Sequence, residues 1–174
     1  MKLVSLTDDQ LFTPLQATIK FSEYWAESIC GSKIDFQSGI YIVFSARYNK
    51  KEDTVSSLHR LYIGSSACIS DRVTRHPKQK KWTGALHRGK SLFFTFADCA
   101  NEQRERIEAA LIFALKPELN KEYSNFFPFG ITKVKVIEYD GSSSSHSLGT
   151  NDRDVFNQRI TDWRSWKKTK LGEE

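Results

Sequence analysis

Cysteine is scarce in this chain: Cys30, Cys68 and Cys99 are an odd set among 174 residues, and no two form a Cys-x-x-Cys pair. A disulfide framework is thereby excluded as the organising device, and free thiols in a reducing compartment are the plain reading. Zinc chemistry also lacks a basis, because His59, His76, His87 and His146 show no zinc-ligand spacing with the cysteines. No apolar run approaches the length needed to span a bilayer. Asp8 and Asp9 interrupt the N-terminal stretch before a signal-peptide core could form. No internal repeat is visible. The expectation is a soluble, cytoplasmic protein with no membrane partner.

What is present is ordinary globular material. Hydrophobic residues make up 39% and charged residues 27% of the chain, which excludes wholesale disorder. The length suits one decorated domain with its own core. With 26 Lys plus Arg against 21 acids, the net charge is +5. That bias is compatible with a polyanionic partner and equally with simple solubility.

Along the chain, Phe21, Tyr24, Trp25 and Ile29 recur at helical spacing, so residues 1–37 are expected to be a helical decoration. Gly39 to Ala46 (GIYIVFSA) is β-branched and aromatic and predicts a buried strand. Polar Arg47 to Ser57 reads as an extended hairpin loop, and Leu58 to Gly64 as the antiparallel return strand. Gly64-Ser65-Ser66 breaks that strand, and Ile69, Arg72, Val73 and His76 step through a short helix that Pro77 helps to end. A third strand is expected over Ser91 to Asp98 (SLFFTFAD), then a strong helix capped by Asn101 that stops near Pro117. Ile131 to Tyr139 alternates like a strand, Ser142 to Ser145 reads as a linker, and Val155 to Lys168 as a terminal helix. The predicted class is α+β: a small antiparallel sheet flanked by helices. The core is expected over residues 38–121, and 122–174 as a C-terminal extension of strand, Ser-rich loop and basic helix.

Three constellations carry chemistry. Glu108 is the only polar residue of Ile107 to Leu115 (IEAALIFAL), and a carboxylate among apolar neighbours needs a cation, a hydrogen-bond partner or a proton. The plain alternative is a helix-edge Glu that reaches solvent or pairs with Arg104 or Lys116. Arg72 and His76, four apart, share a helix face just after a glycine turn. Arg suits phosphate through its fixed fork of donors, and His can relay a proton. Tyr41 and Tyr62 stand at matching places in successive strands, where buried tyrosines are usually core residues with a partnered hydroxyl.

Taken together, Gly39-Ile40-Tyr41 and Tyr62-Ile63-Gly64 resemble the two name-giving motifs of the GIY-YIG nuclease superfamily. Arg72, eight residues after Gly64, is similar to that family's helix arginine, and His76 takes the position of its following His or Tyr. Glu108 matches the metal-binding glutamate, and Asn120, in KPELN, the asparagine that often follows. Two departures stand out: the inserted loop lengthens the Tyr41–Tyr62 separation, a change tolerated cheaply, and Ser65 occupies a position where repair-type members often carry lysine.

The resemblance implies a metal-dependent endonuclease acting on DNA, with RNA not excluded, and one divalent ion, Mg2+ with Mn2+ as substitute, held chiefly by Glu108. In that reading the ion polarises a phosphate oxygen, Arg72 stabilises transition-state charge, and Tyr41 or His76 acts as general base with Tyr62 orienting the water. Asn120 would buttress the site. Outside residues 39–120, Lys78, Lys80, Lys81, Trp82 and Arg88 form one basic stretch and Trp163 to Lys170, with Lys167 and Lys168, a second. These are candidates to contact phosphates and stack bases, or else a solvated face with packed indoles. Antiparallel target strands are matched most simply by a two-fold homodimer. The competing reading is a nucleic-acid-binding module that keeps the fold without cleaving.

Overall fold

A computed structural model of the chain describes residues 13–28, 38–51, 54–137 and 149–150. In order these form β1 (Leu15–Lys20), β2 (Trp25–Ala26), β3 (Gly39–Asn49), β4 (Thr54–Ser66), helices α1 (Ile69–Thr74) and α2 (Gln79–Gly84), β5 (Ser91–Asp98), helix α3 (Asn101–Leu115), β6 (Thr132–Ile137) and β7 (Gly149–Thr150). The class is α+β. Strands run in the order β2-β5-β3-β4, all antiparallel, and β7 adds a short parallel pairing to β4. A separate two-stranded sheet pairs β1 with β6 in parallel.

The run GIYIVFSA is buried from Gly39 to Ala46 because the sheet is covered on both faces. On one face Ile40, Ile42, Phe44, Ile63 and Phe93 pack with Ile107, Ala110 and Leu111 of α3. On the other, Tyr41, Val43, Leu61, Tyr62, Phe94 and Phe96 pack with Ile69 and Val73 of α1 and Trp82 of α2. The ladder slips between Val43 and Phe44: Val43 faces Tyr62 and Phe44 faces Arg60, so Leu61 is left over. This bulge lets Leu61 and Tyr62 join the same core although they are neighbours in sequence.

Several expectations need correction. The N-terminal segment is not simply helical: Leu15, Ala17 and Ile19 alternate with the exposed Gln16, Thr18 and Lys20 in β1, while Trp25 opens β2. Period-two burial won over the apparent helical spacing, because parallel pairing with β6 satisfies the β1 backbone. Phe21 and Tyr24 are buried between those strands, and Ile29 lies outside the described residues. The hairpin loop is also shorter than its polarity suggested, since pairing continues to Asn49 opposite Thr54. Asn101 is the first residue of α3 rather than its cap, which is Ala100. The Asn101 carboxamide oxygen instead accepts a hydrogen bond from the Ser38 hydroxyl at 2.9 Å.

β6 falls where the alternation placed a strand, and α3 is tied to it by a buried arginine. Arg106 donates through Nε to the Thr132 hydroxyl at 2.8 Å and through Nη2 to the Ile131 carbonyl at 2.9 Å. The serine run, the terminal helix, Lys167 and Lys168 lie outside the described residues. Among the described residues no helix is long and apolar enough to cross a membrane.

Candidate active site

The two tyrosines come together through strand register. Tyr41 lies opposite Gly64 and Tyr62 opposite Val43, so the two are diagonal neighbours on the face that α1 and α2 cover. Their ring centroids are 6.2 Å apart. Gly64 makes this possible, since a Cβ there would lie 2.3 Å from Tyr41 Oη and 2.4 Å from its Cζ. Gly39 is constrained in the same way, because its Cβ would lie 2.1 Å from the Ala97 carbonyl oxygen and 2.8 Å from Ile69 Cδ1 of α1. Each glycine in the two triplets is therefore a close-approach position: one admits the tyrosine ring, the other seats the strand against β5 and α1.

His76, just beyond α1, is buried and its Nε2 lies 2.9 Å from Tyr41 Oη. Its Nδ1 accepts the backbone N–H of Lys78 at 3.0 Å. Burial, then the neighbouring Arg72 and Lys78 charges, push its pKa down to about 4. A neutral ring whose Nδ1 is an acceptor carries its proton on Nε2, so His76 donates to the Tyr41 oxygen. Trp82 fixes the imidazole plane from below, stacked at 4.2 Å between centroids. Arg72, exposed on α1, is near enough to Tyr41 for its charge to act on that hydroxyl. Burial holds the Tyr41 hydroxyl well above the usual tyrosine range, with Tyr62 adding to this, while Arg72 opposes it. Tyr62 is pushed up to about 12, by burial first and by Glu108 second.

Glu108 is half-buried on α3 and accepts a 2.5 Å hydrogen bond from the Ser65 hydroxyl at the end of β4. Burial raises its pKa to about 7; the Ser65 bond works against this, and Glu122 and Glu105 add to it. The expected helix-edge partners are engaged elsewhere. Arg104 binds Ser38 and Asn101, and the Lys116 ammonium lies over the Phe113 ring and donates to the Ser124 carbonyl.

Asn120 completes the set as a brace. After α3 the chain runs alongside β4, with the Leu119 N–H bonded to the Leu61 carbonyl at 2.8 Å. The Asn120 carboxamide then takes both backbone groups of Ile63, accepting its N–H at 2.8 Å and donating to its carbonyl at 2.9 Å. It thus clamps the strand between Tyr62 and Gly64, a purely backbone role.

The basic stretch divides. Lys80, Lys81 and Arg88 are exposed. Trp82 is fully buried, so it supports His76 and cannot stack a base, which corrects its expected binding role. Lys78 turns inward, its ammonium 3.2 Å from Tyr62 Oη. Ser65 stands out in the sequence only as a departure and Lys78 only as part of the basic stretch, while Glu122 carries no sequence signal; the fold brings all three near Tyr62 and Glu108.

The donor set decides what cation would suit it. Among the described residues no group of three or more His, Cys, Asp or Glu side chains could cage a metal. Glu108 alone would therefore suit only a cation that keeps waters and takes its remaining oxygens from another ligand, as hard divalent ions such as Mg2+ do. Binding would have to displace the Glu108 proton. If Glu108 holds the ion, adding Mg2+ at pH 6 should release up to about one proton per site, and at pH 8.5 almost none. Calorimetry in buffers of different ionisation enthalpy measures this, and His76, neutral above about pH 4, adds nothing to it.

Compared with models of known protein families, with curated proteins and with solved structures, the chain matches none of them.

Proposed function

We propose that the protein is a metal-dependent phosphodiesterase of GIY-YIG type that cuts nucleic acid, with DNA as the substrate favoured. One observation carries the reading: the polar residues that share the family's order, spread over residues 41–120, converge at one end of β3 and β4. Tyr41 meets His76 at 2.9 Å, Tyr62 lies beside both rings, the Arg72 charge acts on Tyr41, and Asn120 braces the strand between the motif residues.

In this reading each residue has a role that its geometry allows. A divalent ion on Glu108 would supply Lewis-acid polarisation of a phosphate oxygen. Arg72, exposed beside Tyr41, can bind the phosphate and stabilise charge that builds on it. His76 is the group that positions the Tyr41 oxygen, because its Nε2–H points there and leaves no lone pair on that side for a proton. Tyr41 is therefore favoured over His76 as proton acceptor. Burial keeps Tyr41 protonated at neutral pH, and the His76 donor and the Arg72 charge lower the cost of losing that proton. The cleavage rate should accordingly rise through pH 7 and keep rising toward pH 9; a rate that falls above pH 7 would remove Tyr41 as the base.

Exposed Lys80 and Lys81 support electrostatic capture of the backbone. Changing both to Ala should weaken duplex binding and flatten the slope of log affinity against log salt by about 1 to 2. An unchanged slope takes α2 out of the binding surface. The reading as a whole is tested by incubating the protein with supercoiled plasmid and Mg2+, with and without chelator. Nicked or linear product that appears only with the metal is the expected outcome, and binding without any cutting favours the module that only binds.

A further inference from the structure

We propose that Lys78 belongs to the reaction centre, where it positions the Tyr62 hydroxyl, and not to the phosphate-binding surface its sequence neighbours form. Its effect on cleavage rests on the nuclease reading above; its pairing with Tyr62 does not. The ammonium donates to Tyr62 Oη at 3.2 Å and sits 4.3 Å from the centroid of the same ring. Lys78 is only partly exposed, whereas Lys80 and Lys81 are exposed. The residue acts twice, because its backbone N–H is also the donor that sets the His76 tautomer. One residue thus orders both aromatic partners of Tyr41.

The surroundings explain why a cation is useful there. Tyr62 is buried and faces the negative charge of Glu108 and Glu122, and both burial and those carboxylates oppose charge on its oxygen. A hydrogen-bonded ammonium offsets that opposition and fixes the phenol rotor. The charged groups near Lys78 are Arg72 from α1, Lys81 from α2, Glu108 from α3 and Glu122 beyond it. Burial and Lys81 make its proton easier to lose than in an ordinary lysine, and the two carboxylates work to keep it. The Tyr62–Lys78 pair is therefore a place where a proton can be held or released a short distance from Tyr41.

The test uses the full chain carrying 13Cζ-labelled tyrosine, with Lys78→Met, Lys78→Arg, and Tyr62→Phe to assign the Tyr62 resonance. Met keeps an unbranched chain over the Tyr62 ring, so the fold should persist, and a melting curve checks that it does. At pH 7 Lys78→Met should shift the Tyr62 Cζ resonance and Lys78→Arg should restore most of it. Duplex affinity should stay within about threefold, since only one cation is lost, while the single-turnover rate at saturating protein falls roughly a hundredfold. An unmoved Tyr62 resonance overturns the proposal, as does a variant that loses affinity but cuts at the wild-type rate once saturated. A wild type that never cuts would sink the nuclease reading instead, and the resonance alone would then decide the pairing.

Discussion

Glu108→Gln should make the metal-free protein more stable above neutral pH. A carboxyl whose proton affinity is raised by folding favours the fold below its unfolded value near 4.5, and that contribution is lost as pH rises through about 7. At pH 8 the wild type therefore holds a half-buried charge at a cost on the order of 3 kcal/mol. Gln keeps the shape and still accepts from Ser65, but has no charge to desolvate. Its melting temperature should exceed that of the wild type by roughly 5 °C or more at pH 8, and the difference should shrink at pH 5. Mg2+ should reverse the ranking by stabilising only the wild type. A variant that melts below the wild type at pH 8 without metal would show Glu108 paired in a way the geometry does not contain.

Gly64→Ala should damage the core and the site together. The new Cβ would lie 2.3 Å from Tyr41 Oη and 2.9 Å from Tyr62 Cε1. Tyr41 is only 1% exposed, with no room to retreat. Relief requires moving the ring off the strand, at about 1–3 kcal/mol for overpacking, and that movement breaks the 2.9 Å contact with His76. Stability and activity should fall together. Gly84→Ala is the matched control: nothing lies within 4 Å of that Cβ, and Gly84 ends α2. It should be neutral or stabilising by up to about 1 kcal/mol. Equal melting temperatures for the two variants would mean that Tyr41 does not cross Gly64.

Much of the core was legible because its signals are local. β3, β5 and α3 are long runs with strong burial patterns, and their ends fall within a residue or two of punctuation by Gly, Asn and Pro. The tyrosines, Arg72, His76, Glu108 and Asn120 were legible as an ordered set, not one by one. Each alone has a plain structural use, and Asn120 has only that use here. The parts that were not legible depend on non-local pairing. β1 was hidden because its partner β6 lies more than a hundred residues downstream. The bulge at Leu61, which turns Tyr62 toward the site, leaves no mark on local composition. Trp82 and Lys78 were read with their basic neighbours, yet the turn before α2 buries one and directs the other inward. Ser65 was a departure from the family pattern and proves to be the hydrogen-bond donor to Glu108.

The central claim is that the Glu108 end of this site cuts phosphodiester bonds. The direct measurement is single-turnover cleavage of an end-labelled duplex by wild type and Glu108→Gln, in Mg2+, with both proteins shown folded and bound. Wild type should cut, and the variant should be slower by at least about a thousandfold, as the loss of several kcal/mol of transition-state charge stabilisation implies. Duplex affinity should persist, because basic contacts supply most of it. A folded, bound Glu108→Gln that cuts at a near-normal rate, or a wild type whose cutting survives complete chelation, would contradict the claim.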